Sequence, residues 1–252
     1  MKDVWKTVAA SSASFVVLVL LWAWASHAGG LQKSVLPSPS DVAGALRAGL
    51  LDGTLHVHIR ATAQAALLGL LCGVAAGLAM ATLLVLVAWL EPFVLPLVTA
   101  MQSVPKVALA PLIVAYLGFG LGSKVFTAAL LAFFPAFLGA MAGLRSVDRA
   151  HLDLMRACSA GRLHVLWHVR LPAAAPFLFA ALQVAVVFSL IGVVVSEFIA
   201  ATEGLGYVIK ARSLELDVSM MFAAISVLCA MGVSAGLLVR LAQRKAVFWL
   251  RD

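Results

Sequence analysis

Long apolar runs separated by short polar segments dominate the chain. A helix that crosses the hydrocarbon core of a bilayer needs about 20 consecutive apolar residues. Six segments meet this requirement, at about 10–27, 61–90, 93–118, 125–144, 173–196 and 218–239. The second segment is long enough to tilt or to project beyond the bilayer. The pattern predicts an all-α fold, a polytopic transmembrane helical bundle with six spans.

The first apolar segment also has features of a signal peptide. Lys2 and Lys6 precede it, and Ser26-His27-Ala28 after it resembles a cleavage site. Because several full spans follow, we favour an uncleaved first helix. The chain is then expected to form a single transmembrane domain over residues 1–252.

The second segment carries three glycines at four-residue spacing, Gly69, Gly73 and Gly77. This spacing puts all three on one helix face, where small residues let another helix approach closely. The alternative is that glycine is simply common in membrane helices.

The composition also indicates a membrane protein, and this affects how the net positive charge of the chain is interpreted. Of the 252 residues, 63% are hydrophobic and 12% are charged, and the mean hydropathy is +1.07. Soluble domains are usually about half apolar and a quarter charged. The net charge of +7 would suggest nucleic-acid binding in a soluble protein, but the sequence has no basic stripe interleaved with aromatics. We therefore expect membrane lipid, and not nucleic acid, around this chain.

The basic residues are distributed unevenly between the two sides of the predicted spans. Cytoplasmic loops of membrane proteins carry an excess of Lys and Arg. If both termini lie inside, the inner side holds Lys2, Lys6, Arg145, Arg149, Arg156, Arg162, Arg170, Arg240, Arg244, Lys245 and Arg251. The outer side then holds Lys33, Arg47, Arg60, Lys124, Lys210 and Arg212. This bias predicts cytoplasmic N- and C-termini.

The segment between the fourth and fifth predicted spans, about 146–171, is too long for a simple connection. Its pattern predicts helix, turn, helix, with the turn at 159–161 and Pro172 at the start of the fifth span, where its missing N–H is harmless. The two helices would present the apolar side chains Leu154, Ala157, Leu163, Leu166 and Trp167. Such a helix pair is suited to docking into another protein.

This segment resembles the coupling motif of permease subunits of binding-protein-dependent ABC importers. In that motif, Glu-Ala-Ala-x-x-x-Gly is followed by nine intervening residues and then by Ile-x-Leu-Pro. Aligned from Leu171-Pro172, Asp153 takes the Glu position, Met155 the second Ala, Ser159 the Gly and Val169 the Ile. Ser159 in the Gly position predicts a slightly different turn, relaxed by Gly161. The resemblance implies that the ATPase-coupling residues are Asp153, Met155, Arg156, Ser159, Ala160, Gly161, Leu163, Leu171 and Pro172. We call residues 146–171 the coupling loop.

The resemblance extends over nearly the whole chain. Features of the nitrate/sulfonate/taurine branch are matched by Leu36-Pro37-Ser38-Pro39-Ser40, Val104-Pro105 with Pro111, Gly118-Phe119-Gly120, Phe133-Phe134-Pro135 and Gly204-Leu205-Gly206-Tyr207. The segment 104–111 looks closest to members assigned to pyrimidine precursors of thiamine or to riboflavin.

The resemblance implies the architecture of a type I importer permease in the bacterial inner membrane. A second copy of the chain would complete the pathway, two ATPase subunits would grip the coupling loops, and a periplasmic solute-binding protein would deliver a small solute. No cofactor is expected on this chain, which is not an enzyme. The glycine-rich run 118–124 lacks the order needed to cradle phosphates, so ATP and Mg would bind the partner ATPase.

Lys106 and the preceding Pro105 are the first candidates for the substrate pathway. Lys106 falls near the middle of the third predicted span, and the helix must bend at Pro105. A cation there is costly unless it faces water or a partner, so it could hold an anionic substrate. The alternative is that Lys106 snorkels to the interface.

Three further polar residues, Gln102, Gln183 and Glu197, are candidates for the same pathway. The glutamines could equally bond neighbouring helices, and Glu197 could be an ordinary carboxylate at a helix end.

Two other hypotheses stay open at this point. His164 and His168 have the four-residue spacing of a metal pair, although solvated histidines are the simpler interpretation. The whole chain could also be an ion-coupled secondary transporter that acts without an ATPase, but such folds often show inverted repeats, and we find no convincing one.

Overall fold

A computed structural model describes residues 13–14, 16–26 and 35–248 of the chain. The described residues form helices joined by turns: α1 (Val16–Ser26), α2 (Pro39–Leu51), α3 (Thr54–Leu86), α4 (Glu91–Ser103), α5 (Ala110–Leu117), α6 (Leu121–Arg145), α7 (Arg149–Ala157), α8 (Arg162–Val165), α9 (Leu171–Ala200), α10 (Leu205–Leu214) and α11 (Val218–Ala246). Short 3₁₀ helices cover Ala88–Leu90 and Lys106–Leu109, and a π-helical turn covers Leu166–Arg170. The basic residues Lys2, Lys6, Lys33 and Arg251, and His27-Ala28 of the predicted cleavage site, lie outside the described residues.

The predicted helical bundle is confirmed, with one span formed differently from a simple helix. Within the described residues, α3, α6, α11 and the continuous stretch Arg162–Ile199 are each long and apolar enough to cross a membrane. The predicted third span is two helical segments, Ala88–Ser103 and Lys106–Leu117, bent by 84°. The bend follows Val104, since Pro105 cannot donate the backbone hydrogen bond that would continue α4. Val16–Ser26 is a shorter apolar helix within the first predicted span.

The helix α3 is longer than the predicted second span because it begins at Thr54 and not at residue 61. Its 33 residues extend about 50 Å, whereas the hydrocarbon core of a bilayer is about 30 Å thick. Its first turns carry His56, His58 and Arg60, whose polarity hid the start of the helix from the hydropathy pattern. The predicted projection beyond the bilayer therefore fits this helix.

Helices α3, α6 and α9 form the centre of the bundle and pack directly against one another. A Cβ atom on Gly73 would lie 2.5 Å from the carbonyl oxygen of Ala129, and one on Gly77 would lie 2.8 Å from the backbone nitrogen of Phe137. Both contacts are closer than real Cβ atoms approach backbone. The predicted close-approach face of α3 is therefore confirmed, and its partner is α6.

Close backbone contacts at glycines also join α9 to α6. A Cβ atom on Gly192 of α9 would lie 2.7 Å from the Cα of Ala128, and one on Gly143 of α6 would lie 2.9 Å from the Cα of Ala174. In lipid, where association depends on van der Waals contact rather than on the hydrophobic effect, such close backbones stabilise the packing. The three helices form one tightly packed unit.

Helices α2, α10 and α11 pack beside this unit. Leu55, Leu205, Val208 and Ala224 form a shared buried cluster. The short helix α2 ends at Leu51 and is capped by Ser38, whose side chain accepts from the backbone N–H of Asp41. Asp41 bonds back to the backbone N–H of Ser38, so the pair forms a capping box.

Candidate functional site

The coupling loop lies where α3 and α6 end and α9 begins. The Nη1 atom of Arg162 donates to the carbonyl oxygen of Leu86, and Nη1 of Arg170 donates to that of Leu144, both at 3.3 Å. The last carbonyls of a helix have no hydrogen-bond donor within the helix and carry partial negative charge. An arginine at this position supplies both a donor and a positive charge. The two arginines thus fasten the loop to the ends of two central helices.

The predicted helix–turn–helix is present, and its turn is set by Ser159. After α7, the backbone N–H of Ala160 donates to Met155 O at 3.0 Å and that of Ser159 donates to Arg156 O at 2.8 Å. This pair of bonds is a Schellman motif, which needs a left-handed residue, usually glycine. Ser159 adopts this conformation itself, with φ +57°.

Gly161 does not relax the turn, contrary to the prediction. Its φ is −68° and its ψ is 157°, an extended conformation open to any residue. The predicted different turn is therefore wrong: the serine keeps the left-handed geometry that glycine favours, at a local cost of about 1–2 kcal/mol.

The second helix of the loop does not end before the fifth span. The helix α8 continues through the π-helical turn Leu166–Arg170 into α9. Pro172 lies at the start of α9, as predicted, but this start is not a free helix end because the helical backbone continues from the π turn. Pro172 has no N–H to donate, and the wider spacing of the π turn directly before it accommodates this loss within one continuous helix.

Three large apolar side chains of the coupling loop are exposed. The prediction that Leu166 is presented with them is wrong, since it has 4% of its surface accessible and belongs to the buried cluster that includes Leu84 and Leu144. Leu154, Leu163 and Trp167 have 62%, 63% and 65% of their surface accessible. The side chains of Asp153 and Arg156 form an exposed ion pair of 2.9 Å beside them. Isolated exposed leucines are ordinary, but three large apolar side chains on one short loop mark an interaction surface.

Two of the three histidines of the coupling loop, His164 and His168, stack on each other and do not gather a metal site. The rings of His164 and His168 are 4.1 Å apart, and His168 Nδ1 is 3.1 Å from the backbone oxygen of His164. Among the described residues no group of three or more His, Cys, Asp or Glu could hold a metal ion.

Lys106 lies at the break between α4 and α5. Its Nζ donates to the backbone oxygen of Gln102 at 3.0 Å and lies 4.3 Å from the ring centroid of Phe134 on α6. Pro105 before it is exposed. Within the described residues Lys106 forms no ion pair with a carboxylate. This half-buried cation therefore has no counterion in the part of the chain that the structure describes.

One face of α4 lines an open groove of about 790 Å³ that runs up to the break. Its lining residues are Ala88, Glu91, Pro92, Leu95, Pro96, Thr99, Ala100 and Ser103. We call this the α4 groove. It combines an apolar wall with the hydroxyls of Thr99 and Ser103, a mixture typical of small-molecule sites.

Glu197 is fully buried near the far end of α9 from the coupling loop. Its carboxylate accepts from the hydroxyl of Thr62, at 2.9 and 3.1 Å to the two oxygens, and from the backbone N–H of Gly206 at 2.8 Å. Lys124 Nζ is 3.7 Å from Oε1 and donates to the backbone oxygen of Glu203 at 2.6 Å. The interpretation as an ordinary exposed helix-end carboxylate is therefore wrong.

This cluster fixes the turn between α9 and α10. Gly204 has φ +123°, and its N–H donates to His58 Nδ1 at 3.1 Å. The N–H of Leu205 donates to Thr62 Oγ1 at 2.8 Å. A Cβ atom on Gly206 would lie 2.8 Å from the Cβ of Glu197. Two glycines are thus required for the backbone to wrap around the carboxylate.

The structure does not gather the five predicted pathway candidates in one place. Gln183 bonds α11, with Nε2 3.3 Å from Gln243 Oε1 and its Oε1 3.4 Å from Arg240 Nε. Lys106 and Gln102 are together at the break, and Glu197 has no accessible surface. Their roles in a pathway stay predictions.

Sequence reasoning missed the partners of Glu197. A signal was available, since Lys124 and Glu197 are opposite charges at the ends of two predicted spans that meet on the same side. The hydroxyl of Thr62 carried no such signal because threonine is ordinary within an apolar helix.

Comparison with known proteins identifies the family. Residues 73–247 match the family described as binding-protein-dependent transport system inner membrane component. A probable ABC transporter permease protein of Haemophilus influenzae is 35% identical over 214 residues, covering 84% of this chain and 86% of that protein. The riboflavin transport system permease protein RibX of Chloroflexus aurantiacus is 33% identical, covering 94% and 88%.

A third relative is the formylaminopyrimidine transport permease protein ThiX of Halalkalibacterium halodurans, 30% identical over 87% of each chain. These names agree with the resemblance to riboflavin and pyrimidine-precursor permeases, which is confirmed. The chain therefore belongs to the inner-membrane permease components of binding-protein-dependent ABC transport systems.

Proposed function

We propose that this chain is the membrane-spanning permease subunit of an ATP-driven importer, with both termini in the cytoplasm. Two copies would form the translocation pathway, and a periplasmic binding protein would deliver the solute. ATP and Mg would bind partner ATPase subunits, so this chain would hydrolyse nothing. The observation that carries the proposal is the exposed coupling loop fastened to the ends of α3 and α6.

The geometry supports force transmission from an ATPase into the bundle. The α8 helix continues into α9, so a push on the loop acts directly on a central helix. Arg162 and Arg170 link the same loop to α3 and α6. Glu91 pairs with Arg145, which connects the start of α4 to the end of α6. A displacement of the loop would therefore reach all central helices and the broken span.

Co-purification tests the docking of an ATPase. The permease is extracted from native membranes in mild detergent as wild type, Asp153→Lys and Glu215→Lys. The control is closely matched because both changes reverse one charge of an exposed i,i+3 pair, Asp153 with Arg156 or Glu215 with Arg212. We expect an ATPase to co-elute with wild type and Glu215→Lys and to be lost from Asp153→Lys.

The contrary result is equally informative. If no ATPase accompanies any of the three forms under conditions that preserve a known importer, coupling through this loop is refuted. The ion-coupled secondary transporter then becomes the better hypothesis. Transport by the isolated chain in vesicles would support that alternative directly.

We further propose that Lys106 contacts the solute, which would be a small organic anion or a heterocyclic vitamin precursor. The support is the half-buried ammonium group, which has no carboxylate partner among the described residues and lies at the break that follows α4. Buried charges in membrane spans are costly and usually mark a pathway. The names of the relatives, for riboflavin and formylaminopyrimidine, support ring compounds as the first solutes to test.

Uptake by a Lys106→Met variant tests this role. We expect uptake to be abolished while membrane abundance stays normal, because methionine keeps the length and loses the charge. Lys210→Met is the matched control, since Lys210 is exposed on α10. Normal uptake by Lys106→Met would refute a solute contact.

A further inference from the structure

A cavity of about 650 Å³ separates the coupling loop from the end of α3. One wall is the apolar segment 85–89, and the facing side contains the three arginines Arg156, Arg162 and Arg170. Among the described residues that line it, none is acidic. The cavity is thus apolar on one side and cationic on the other.

The positive charge in this cavity is poorly compensated. Arg162 and Arg170 donate to backbone carbonyls, which are neutral groups, and each guanidinium has further N–H donors available. Within the described part of the chain, neither forms an ion pair with a carboxylate. The pair of Arg156 with Asp153 is largely exposed, and such pairs are weak and exchange readily. Three guanidinium groups around one space favour a bound anion.

The depth of the cavity indicates which anion fits. It lies at the level where α3 and α6 end, the boundary between the apolar spans and the polar loop. Trp89 on its wall is 68% exposed, and tryptophan is enriched at membrane–water interfaces. A free phosphate or nucleotide would leave the apolar wall unused, whereas a lipid would cover it.

We propose that this cavity binds the headgroup phosphate of an anionic phospholipid. The planar guanidinium groups would hold the phosphate oxygens in pairs, and the acyl chains would lie along 85–89. Basic pockets between helices at the cytoplasmic face of a membrane are suited to such headgroups. The lipid would join α7 and α8 to the end of α3, so it would strengthen the link between loop and bundle. The proposal rests on the orientation given under Proposed function.

Lipid retention by the intact transporter tests the site. The complex of permease, ATPase and binding protein is placed in nanodiscs of dioleoyl phosphatidylcholine with a minor fraction of dioleoyl phosphatidylglycerol. Native mass spectrometry then counts retained phosphatidylglycerol. The variants are Arg162→Gln/Arg170→Gln and, as control, Arg149→Gln, which removes a charge from the same loop outside the cavity.

We expect tight phosphatidylglycerol binding in wild type and Arg149→Gln, weakened roughly fivefold for each arginine removed in the double variant. Co-elution of the ATPase reports whether the double variant still assembles. Equal retention of phosphatidylglycerol and phosphatidylcholine by the wild type would overturn the proposal even if the variant failed to assemble. Unchanged binding in an assembled double variant would overturn it too.

Competition separates the lipid from other phosphates. Addition of inorganic phosphate or ATP should not displace phosphatidylglycerol, because neither uses the apolar wall. Displacement by either would show a site for a free anion and overturn the lipid assignment. If no ATPase accompanies the wild type, Asp153→Lys or Glu215→Lys while the permease still binds phosphatidylglycerol, the proposed function is refuted and this site is left standing.

Discussion

The buried pair of Glu197 and Lys124 offers a quantitative test of how the bundle is closed opposite the coupling loop. Glu197→Gln keeps the shape of the side chain and removes its charge. Lys124 would then remain as a buried cation without a carboxylate partner among the described residues, and it would keep its bond to the backbone oxygen of Glu203. The amide NH₂ that replaces one carboxylate oxygen could not accept the hydrogen bonds that Thr62 or Gly206 donates to that oxygen.

The size of the effect follows from these contacts. Removing one partner of a buried ion pair costs about 3–5 kcal/mol, and an unsatisfied buried donor costs about 1–3 kcal/mol. Since Lys124 keeps its 2.6 Å bond to Glu203 and the Nζ–Oε1 distance is 3.7 Å, we expect the lower end, about 3 kcal/mol. Lys124→Met should cost a similar amount because it leaves Glu197 as the uncompensated charge.

A double-mutant cycle in mixed micelles isolates the pair. The free energy of unfolding is measured by SDS titration for wild type, Glu197→Gln, Lys124→Met and the double variant, with Lys210→Met as an exposed control. We expect the double variant to lose about 1–3 kcal/mol less than the sum of the single losses, as residues in contact do. Additivity within about 0.5 kcal/mol would refute the coupling of the two charges.

Three further predictions concern the coupling loop and the central packing. Ser159→Gly should slow hydrogen exchange of the amides in its turn about fivefold, because glycine adopts φ +57° without strain. The control Gly161→Ala should leave the exchange rates unchanged. Faster exchange in Ser159→Gly would contradict the left-handed conformation assigned to Ser159. Gly73→Val should lower the melting temperature of the purified permease because the valine overpacks against α6, at a cost of about 1–3 kcal/mol or more. Gly236→Ala should not lower it, since a Cβ there meets nothing within 4 Å. Equal melting temperatures for Gly73→Val and the wild type would refute the close contact between α3 and α6. Leu154→Asp should weaken ATPase binding at least tenfold. The melting temperature should not change, since the side chain of Leu154 is 62% exposed. A lowered melting temperature would show that Leu154 has a structural role instead.

The sequence was sufficient for the features that depend on period and polarity. Apolar length predicted the bundle, the spacing of Gly69, Gly73 and Gly77 predicted a close helix contact, and the polar interruption predicted the coupling loop. These features are local, so they can be read within one segment. The bend at Pro105 was predicted for the same reason, although its angle of 84° depends on packing against α6.

The long-range hydrogen bonds of Thr62 and Arg162 could not be predicted from the sequence. Thr62 and Glu197 are 135 residues apart, and Arg162 is 76 residues from its acceptor Leu86. Neither partner of such a pair has an unusual neighbourhood in sequence. The left-handed conformation of Ser159 was missed for a different reason. The residue types of the turn favoured Gly161 as the left-handed residue. The hydrogen bonds of the Schellman motif instead require this conformation one residue after the helix cap, which is Ser159.

The distribution of contacts also suggests where the bundle can change shape. The central unit of α3, α6 and α9 has glycine-mediated backbone contacts, and well-packed interfaces resist continuous deformation. The Glu197 cluster adds buried hydrogen bonds at one end of this unit. The break at Val104–Pro105 lacks a continuous helical backbone, and the π-helical turn before Pro172 has a wider hydrogen-bond spacing.

A displacement of the coupling loop should therefore move α3, α6 and α9 as one body, with the conformational change concentrated at the α4–α5 break beside Lys106. Spin labels at exposed positions on α4 and α6 would show this as a distance change on ATP binding, whereas labels within the central unit should keep their separation.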